Sequence, residues 1–202
     1  MKLVLATSNR GKLAEMRPLL ADLGHELATQ GELGVEDAVE DGRSFVENAL
    51  IKARHAARQT GLPALADDSG LEVDALGGAP GVRSARFAGP DADDAANRRL
   101  LLERLANVPA DARRARFRCV LVYLRHADDP WPEIFTGTWE GEIALAEAGG
   151  NGFGYDPLFR VPALGCTAAQ LDPADKARLS HRAQATAALC AFLRDQLAPA
   201  RD

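Results

Sequence analysis

Residues 117–124 restrict the fold more than any other stretch of the chain. Phe117, Cys119, Leu121 and Tyr123 alternate with Arg118, Val120, Val122 and Leu124, the period of two that puts successive side chains on opposite faces of a strand. The run reads as a long central strand, and Ile134 to Ala144 reads as its neighbour across the Asp128-Asp129-Pro130 turn. Upstream the rhythm differs. Leu3 to Ala6 is a short apolar run, the polar turn Thr7 to Lys12 follows, and Leu13, Met16, Leu19, Leu20 and Leu23 recur at helical spacing up to Gly24. Strands and helices interleave early while a hairpin occupies the middle. This predicts an α/β fold, a mixed central sheet flanked by helices and divided into two lobes, as a single domain over residues 1–202.

Local signals mark the remaining elements. Pro18 should kink or weaken the first helix, because it lacks an N–H and clashes with the preceding turn. Glu26 to Thr29 reads as a second strand, followed by an acidic loop from Gly31 to Gly42. Ser44 and Glu47 form a capping box, opening a helix that carries Phe45, Ala49, Leu50, Ala53, Ala56 and Ala57 and stops near Gly61 and Pro63. Ala64-Leu65-Ala66 is a short strand running into the turn-like Asp67-Asp68-Ser69-Gly70. Gly77 to Gly89 is rich in Gly and Pro and is expected as a long surface loop, before a helix from about Asp93 to Ala106 with Leu100, Leu101 and Leu105 on one side. A last helix is expected from about Ser180 to Leu197.

Composition excludes several classes. A chain of 202 residues can bury roughly 70% of its unfolded surface and needs neither disulfide nor metal to fold. Cys119, Cys166 and Cys190 are too few and too scattered for a disulfide scaffold or a zinc site, and fit buried thiols in a reducing cytoplasm. The apolar start is only four residues long, too short for a signal-peptide core or a membrane span, so a soluble cytoplasmic protein is expected. With 24 Lys+Arg against 29 Asp+Glu the net charge is -5. No basic run exists to neutralise a nucleic-acid backbone, but a small anion held by a few cations remains compatible.

Four constellations could carry chemistry. The turn Thr7-Ser8-Asn9-Arg10-Gly11-Lys12 joins a strand end to a helix N-terminus, where backbone N–H groups and the positive end of the helix favour phosphate; the same pattern also serves as a plain helix cap. Glu40, Asp41, Asp67 and Asp68 are carboxylates of the kind Mg²⁺ uses one or two at a time beside phosphates and water. Asp67 and Asp68, being adjacent on a strand, should point to opposite faces, and Asp68 is the better ligand candidate beside Ser69-Gly70. The loop Gly149 to Pro157, with Phe153 between Gly152 and Gly154, could present an aromatic face to a base or simply make a tight turn. Lys176, His181 and Arg182 surround the start of the last helix, where cations oppose the helix dipole. Lys52 on the capped helix reads, from the residues alone, as a solvated face position.

Taken together, Thr7 to Lys12, Phe45-Val46-Glu47-Asn48-Ala49, Ala66 to Leu71, Gly78 to Val82 with Ser84-Ala85-Arg86, Gly152 to Pro157 and Ser180-His181-Arg182 resemble the non-canonical purine NTP pyrophosphatases of the dITP/XTP (inosine triphosphate) type. The resemblance runs from Lys2 to about Leu197. It implies a two-lobed fold with a nucleotide cleft between the lobes, a homodimer, and Mg²⁺-dependent hydrolysis of dITP, ITP or XTP to the monophosphate and pyrophosphate. Carried onto this chain, it implies that Thr7, Ser8, Asn9, Arg10, Gly11, Lys12 and Lys52 hold the phosphates. Glu40 and Asp68 would hold the metal, with Asp41 as the alternative to Glu40, and Asp68 would also accept the proton. Ser69 would touch the substrate, Phe153, Gly154, Tyr155 and Asp156 would clasp the base, and Lys176, His181 and Arg182 would complete the pocket.

Overall fold

The computed structural model describes residues 2–21 and 25–197. Leu23 and Gly24, the expected end of the first helix, lie outside the described residues, as do the side chains of Leu19 and Leu197. Strands β1 (Lys2–Leu5), β2 (Glu26–Thr29), β3 (Ala64–Val73), β4 (Arg114–Leu124), β5 (Glu133–Ile143), β6 (Phe159–Val161) and β7 (Cys166–Thr167) hydrogen-bond in the order β2-β1-β3-β4-β5-β6-β7. The sheet is mixed: β1 is parallel to β2 and β3, whereas β6 is antiparallel to β5 and β7. The helices are α1 (Arg10–Ala21), α2 (Phe45–Thr60), α3 (Asp94–Arg104), α4 (Pro173–Leu179) and α5 (His181–Leu197). The chain forms two compact units, the first from residues 1–68, 119–137 and 182–202, the second from 69–118 and 138–181.

In the first unit the parity of strand residues decides which helix each one meets. Leu3, Leu5, Leu65, Cys119, Leu121 and Tyr123 pack with Met16 and Leu20 of α1 and with Ala185, Leu189, Cys190 and Leu193 of α5. Val4, Ala6, Ala64, Ala66, Val120, Val122 and Leu124 pack instead with Ala49, Ala53, Ala56 and Ala57 of α2. The alanine stripe lets α2 lie close to the strands. Its start is capped as the sequence predicts: the Ser44 side chain accepts from Glu47 N–H, and Glu47 Oε2 accepts in turn from Arg43 N–H and the Ser44 hydroxyl. Gly61, at φ 68°, closes the helix in a left-handed conformation that costs glycine little.

The second unit has its own core. Leu71, Val73, Leu101, Leu105, Ala115, Phe117, Trp139, Ile143, Leu158 and Phe159 are buried together. Leu101 of α3 and Leu105 at its C-cap join this core, whereas Leu100, expected on the same side, does not; the N-cap Asp93 accepts from Ala96 N–H at 2.7 Å.

Several elements differ from the sequence reading. Asp67-Asp68-Ser69-Gly70 is not a turn ending a three-residue strand but the middle of the ten-residue β3. The stretch 77–89 is not an open loop. It winds into a 3-10 turn over Gly81–Arg86, and Ser84 Oγ is buried there, accepting from Leu71 N–H at 2.8 Å. Helix α4 and the short strands β6 and β7 had no periodic signal.

Candidate functional site

The polar turn after β1 is first of all a helix cap. Helix α1 begins at Arg10, so Arg10, Gly11 and Lys12 form its first turn. Asn9 Oδ1 accepts from Lys12 N–H at 3.0 Å, and Thr7 Oγ1 accepts from Asn9 N–H at 3.2 Å. Ser8, Asn9 and Arg10 are exposed, and the Ser8 hydroxyl donates to Asp37 at 2.8 Å. The cap aims Lys12 inward. Its ammonium lies 2.5 Å from Asp67 Oδ1 and donates to the Asp67 carbonyl at 3.2 Å.

The two aspartates of β3 obey the parity of their neighbours. Asp67 follows Leu65 onto the α1 and α5 face. There it meets Lys12 and Arg182, whose Nε donates to Asp67 Oδ2 at 2.8 Å, and the Cys119 thiol at 3.4 Å. Arg182 is itself buried and also donates through Nη1 to Glu15. Burial alone would raise the Asp67 carboxyl, but Arg182 and Lys12 outweigh it and hold the group well below the usual carboxylate range. Asp67 is therefore a permanent anion that orders two cations. The same pairing offsets the unfavourable position of Arg182 at the start of α5.

Asp68 follows Ala66 onto the α2 face and has a different environment. Its Oδ1 accepts from Lys52 at 2.8 Å, while Oδ2 is buried with no hydrogen-bond partner among the described residues. Burial pushes its carboxyl above the usual value, against the pull of Lys52 and Lys12. Lys52 is not a solvated face residue. Only 11% of its side chain is exposed, and it lies between Asp68 and Glu40, whose Oε1 stands 3.4 Å away. Burial opposes its charge, yet the carboxylates of Asp68 and Glu40 keep the ammonium above its ordinary value. Glu40 is held in reach because Gly42 N–H donates to Asn48 Oδ1 at 2.9 Å, an approach a Cβ at Gly42 would obstruct. Asp41, the alternative ligand, is exposed.

Glu40 and Asp68 fit a divalent cation that takes few protein ligands: the two carboxylates lie against one ammonium, Lys52, and Asp68 carries a buried oxygen with no hydrogen-bond partner among the described residues. Among the described residues no group of three or more His, Cys, Asp or Glu is arranged to hold an ion unaided.

The second unit carries the rest of the predicted set. Gly152 at φ 75° and Gly154 at φ 61° bracket Phe153. Asp156 Oδ2 accepts from Phe153 N–H at 2.8 Å and from Lys176 Nζ at 2.5 Å, and the same ammonium lies 4.9 Å from the Phe153 ring centroid. Tyr155 is turned into the core, where burial raises its phenol and its hydroxyl donates to the Ser84 carbonyl at 2.8 Å. His181 stacks on Phe117 with centroids 4.8 Å apart and planes at 14°. Ser69 is half-buried in β3.

The Ham1 family model matches residues 3–192. The chain belongs to the Ham1 family. Among its relatives, the dITP/XTP pyrophosphatase of Yersinia pseudotuberculosis serotype I (strain IP32953) is 59% identical over 194 residues, 96% of this chain and 98% of that one. The protein of the same name from Escherichia coli O157:H7 is 57% identical over the same shares. Of the solved structures, the HAM1 protein from Coxiella burnetii superposes with a TM-score of 0.91 at 52% identity, covering 96% of this chain and 99% of that one. The nucleoside-triphosphatase / dITP/XTP pyrophosphatase of Mycobacterium abscessus gives a TM-score of 0.75 at 45% identity over 94% and 98%.

Within this Ham1-family chain Lys12, Lys52, Glu40, Asp68 and Arg182 belong to the first unit and Ser69, Phe153, Gly154, Tyr155, Asp156, Lys176 and His181 to the second. Sequence reasoning missed Asp67 and Glu15 as partners of the cations, and Asp94 and Arg98, which bind the Gly154 peptide. Glu15 had a faint signal, since it stands three residues after Lys12 on one helical face. Nothing in the local pattern marks Asp94 or Arg98. Among the described residues no helix is long and apolar enough to cross a membrane.

Proposed function

We propose that the chain hydrolyses purine nucleoside triphosphates bearing a 6-oxo base, dITP, ITP and XTP, to the monophosphate and pyrophosphate, clearing deaminated purines from the nucleotide pool. The observation that carries this reading is Asp68: a buried carboxylate with one oxygen tied to Lys52 and the other without a hydrogen-bond partner among the described residues, beside Glu40 across the same Lys52. Those are the properties of a general base. The relatives' name, dITP/XTP pyrophosphatase, supplies the substrate class.

In this reading the N–H groups and side chains from Thr7 to Lys12, together with Lys52, bind the triphosphate. Glu40 and Asp68 would hold Mg²⁺, which would supply charge neutralisation at the phosphates and acidify nearby water. Asp68 takes a proton from the water that attacks the α-phosphorus. The bond from the α-phosphorus to the bridging oxygen breaks, and its electron pair leaves with pyrophosphate. Lys12 offsets the charge that develops, and Asp67 keeps that ammonium in place.

At the other end of the substrate, Phe153 stacks on the purine, with Lys176, Ser69 and the Gly154 to Asp156 backbone around it. His181 and Arg182 donate to O6, where adenine presents an amino group. A site built on such hydrogen bonds rejects the mismatched base by about 10⁴–10⁵, because its donors would be left unpaired. The active form in this reading is a cytoplasmic homodimer.

The test is pyrophosphate release from dITP, XTP and dATP, each with and without Mg²⁺. Metal-dependent release from dITP and XTP but not dATP is expected; orthophosphate as the first product, or equal turnover of dATP, overturns the reading.

A further inference from the structure

We propose that Asp94 and Arg98 of α3 are positioning residues that hold the Phe153 loop by the backbone N–H and carbonyl of Gly154, and through it set the affinity for the purine. The proposal rests on reading that loop as the base-binding segment. Gly154 N–H donates to Asp94 Oδ2 at 2.7 Å, and Arg98 Nη1 donates to the Gly154 carbonyl at 2.9 Å. The two residues are four apart on α3 and so share one helical face. A carboxylate meets the N–H of Gly154 and a guanidinium meets its carbonyl, so the polarity of the pair matches both polar groups of that residue.

Neither residue caps α3, although Asp94 stands in its first turn, where a carboxylate favours the helix dipole. Its N-cap is Asp93, and the helix buries Asn97 and Leu101 rather than these side chains. Arg98 reaches a second point: its Nε lies 3.0 Å from Glu147 Oε1, so one guanidinium ties together both ends of the segment 147–154.

The need for such a latch follows from the loop's composition. Phe153 stands between two left-handed glycines, whose backbone freedom leaves the ring direction undetermined by regular secondary structure. From one side Asp156 and Lys176 hold the Phe153 N–H and ring; from the other α3 holds the next residue. A ring anchored on both sides binds a base without first being ordered, which lowers the entropic cost of association.

The test combines kinetics with amide exchange on Asp94→Ala and Arg98→Met. Each is expected to raise KM for dITP about tenfold, the loss of one charge-assisted hydrogen bond, with kcat within about twofold of the parent. The Gly154 amide should exchange faster in both, and Arg98→Lys should restore part of the KM. A merely structural role would lower kcat with the folded fraction and leave KM unchanged; that pattern, or unaltered Gly154 exchange, overturns the proposal. If the parent enzyme releases no pyrophosphate from dITP, the proposed function falls, and the exchange measurement alone still decides whether Asp94 and Arg98 hold the loop.

Discussion

Replacing Gly152 with alanine would press a methyl group into a buried ion pair of the second unit. The new Cβ would overlap Asp156 Oδ2 and stand 2.9 Å from its Cγ and 3.2 Å from Lys176 Nζ. Neither neighbour has room to yield: the side chains of Lys176 and Asp156 are 8% and 4% exposed, and their 2.5 Å ion pair sits under Phe153. Two costs add. At φ 75° an alanine pays about 1–2 kcal/mol for the left-handed conformation, and separating a buried ion pair costs about 3–5 kcal/mol. Partial rotation of the carboxylate relieves some of this, leaving a net loss of about 3–5 kcal/mol, a large share of the roughly 5–15 kcal/mol that stabilises a typical domain. At about 2–4 °C per kcal/mol for a chain of this size, the melting temperature should fall by about 6–20 °C. Gly150 is the matched control, since a Cβ there meets nothing within 4 Å. Thermal unfolding of Gly152→Ala, Gly150→Ala and the parent by circular dichroism measures the difference. A Gly152→Ala melting temperature within about 2 °C of the parent would refute the packing argument for this loop.

Other perturbations separate the roles of individual carboxylates. Asp68→Asn should lower kcat for dITP by at least about 10²-fold, as loss of a general base does, while its circular dichroism spectrum stays that of the parent; retained turnover removes Asp68 from the proton-transfer step. Asp67→Ala should instead act on stability, by about 3–5 kcal/mol in urea unfolding, because Arg182 and Lys12 lose a shared buried counter-ion. A loss under about 1 kcal/mol would mean the network relaxes without cost. Asp129 gives a pH signature. Hydrogen bonds from the Arg125 side chain, and from the Arg125 and Trp131 backbones, hold its carboxyl well below the usual range. A depressed native pKa stabilises fully above the unfolded value of about 4 and is lost as pH falls through the native one. The melting-temperature gap between the parent and Asp129→Asn should hold steady from about pH 8 to about pH 5 and close below about pH 4; a gap that widens on acidification contradicts the sign.

The sequence makes some of this legible and hides the rest for identifiable reasons. The Ser44 cap, the alanine face of α2 and the alternation of 117–124 are local patterns, and each forms where the pattern places it. The opposite facing of Asp67 and Asp68 is also local and holds. The extent of β3 is not. Asp, Ser and Gly favour turns locally, but here the strand continues: Lys12 and Arg182 pair both oxygens of Asp67, and Lys52 pairs one oxygen of Asp68, all from the helices. Asp67 and Arg182 are 115 residues apart, beyond any periodicity. For the same reason Lys52 looked solvated: its partners Glu40 and Asp68 come from a loop and a strand, not from its own helix. Strands β6 and β7, of three and two residues, are too short to show a period. The grip of Asp94 and Arg98 on Gly154 joins two segments with no pattern in common.

Where water attacks decides whether Asp68 acts as the base at the α-phosphorus. Turnover of dITP in ¹⁸O-labelled water, with Mg²⁺ present, followed by mass spectrometry of both products, locates the new bond. Attack at the α-phosphorus by water that Asp68 deprotonates puts the label in dIMP and leaves pyrophosphate unlabelled; label in pyrophosphate, or release of labelled orthophosphate, would contradict it.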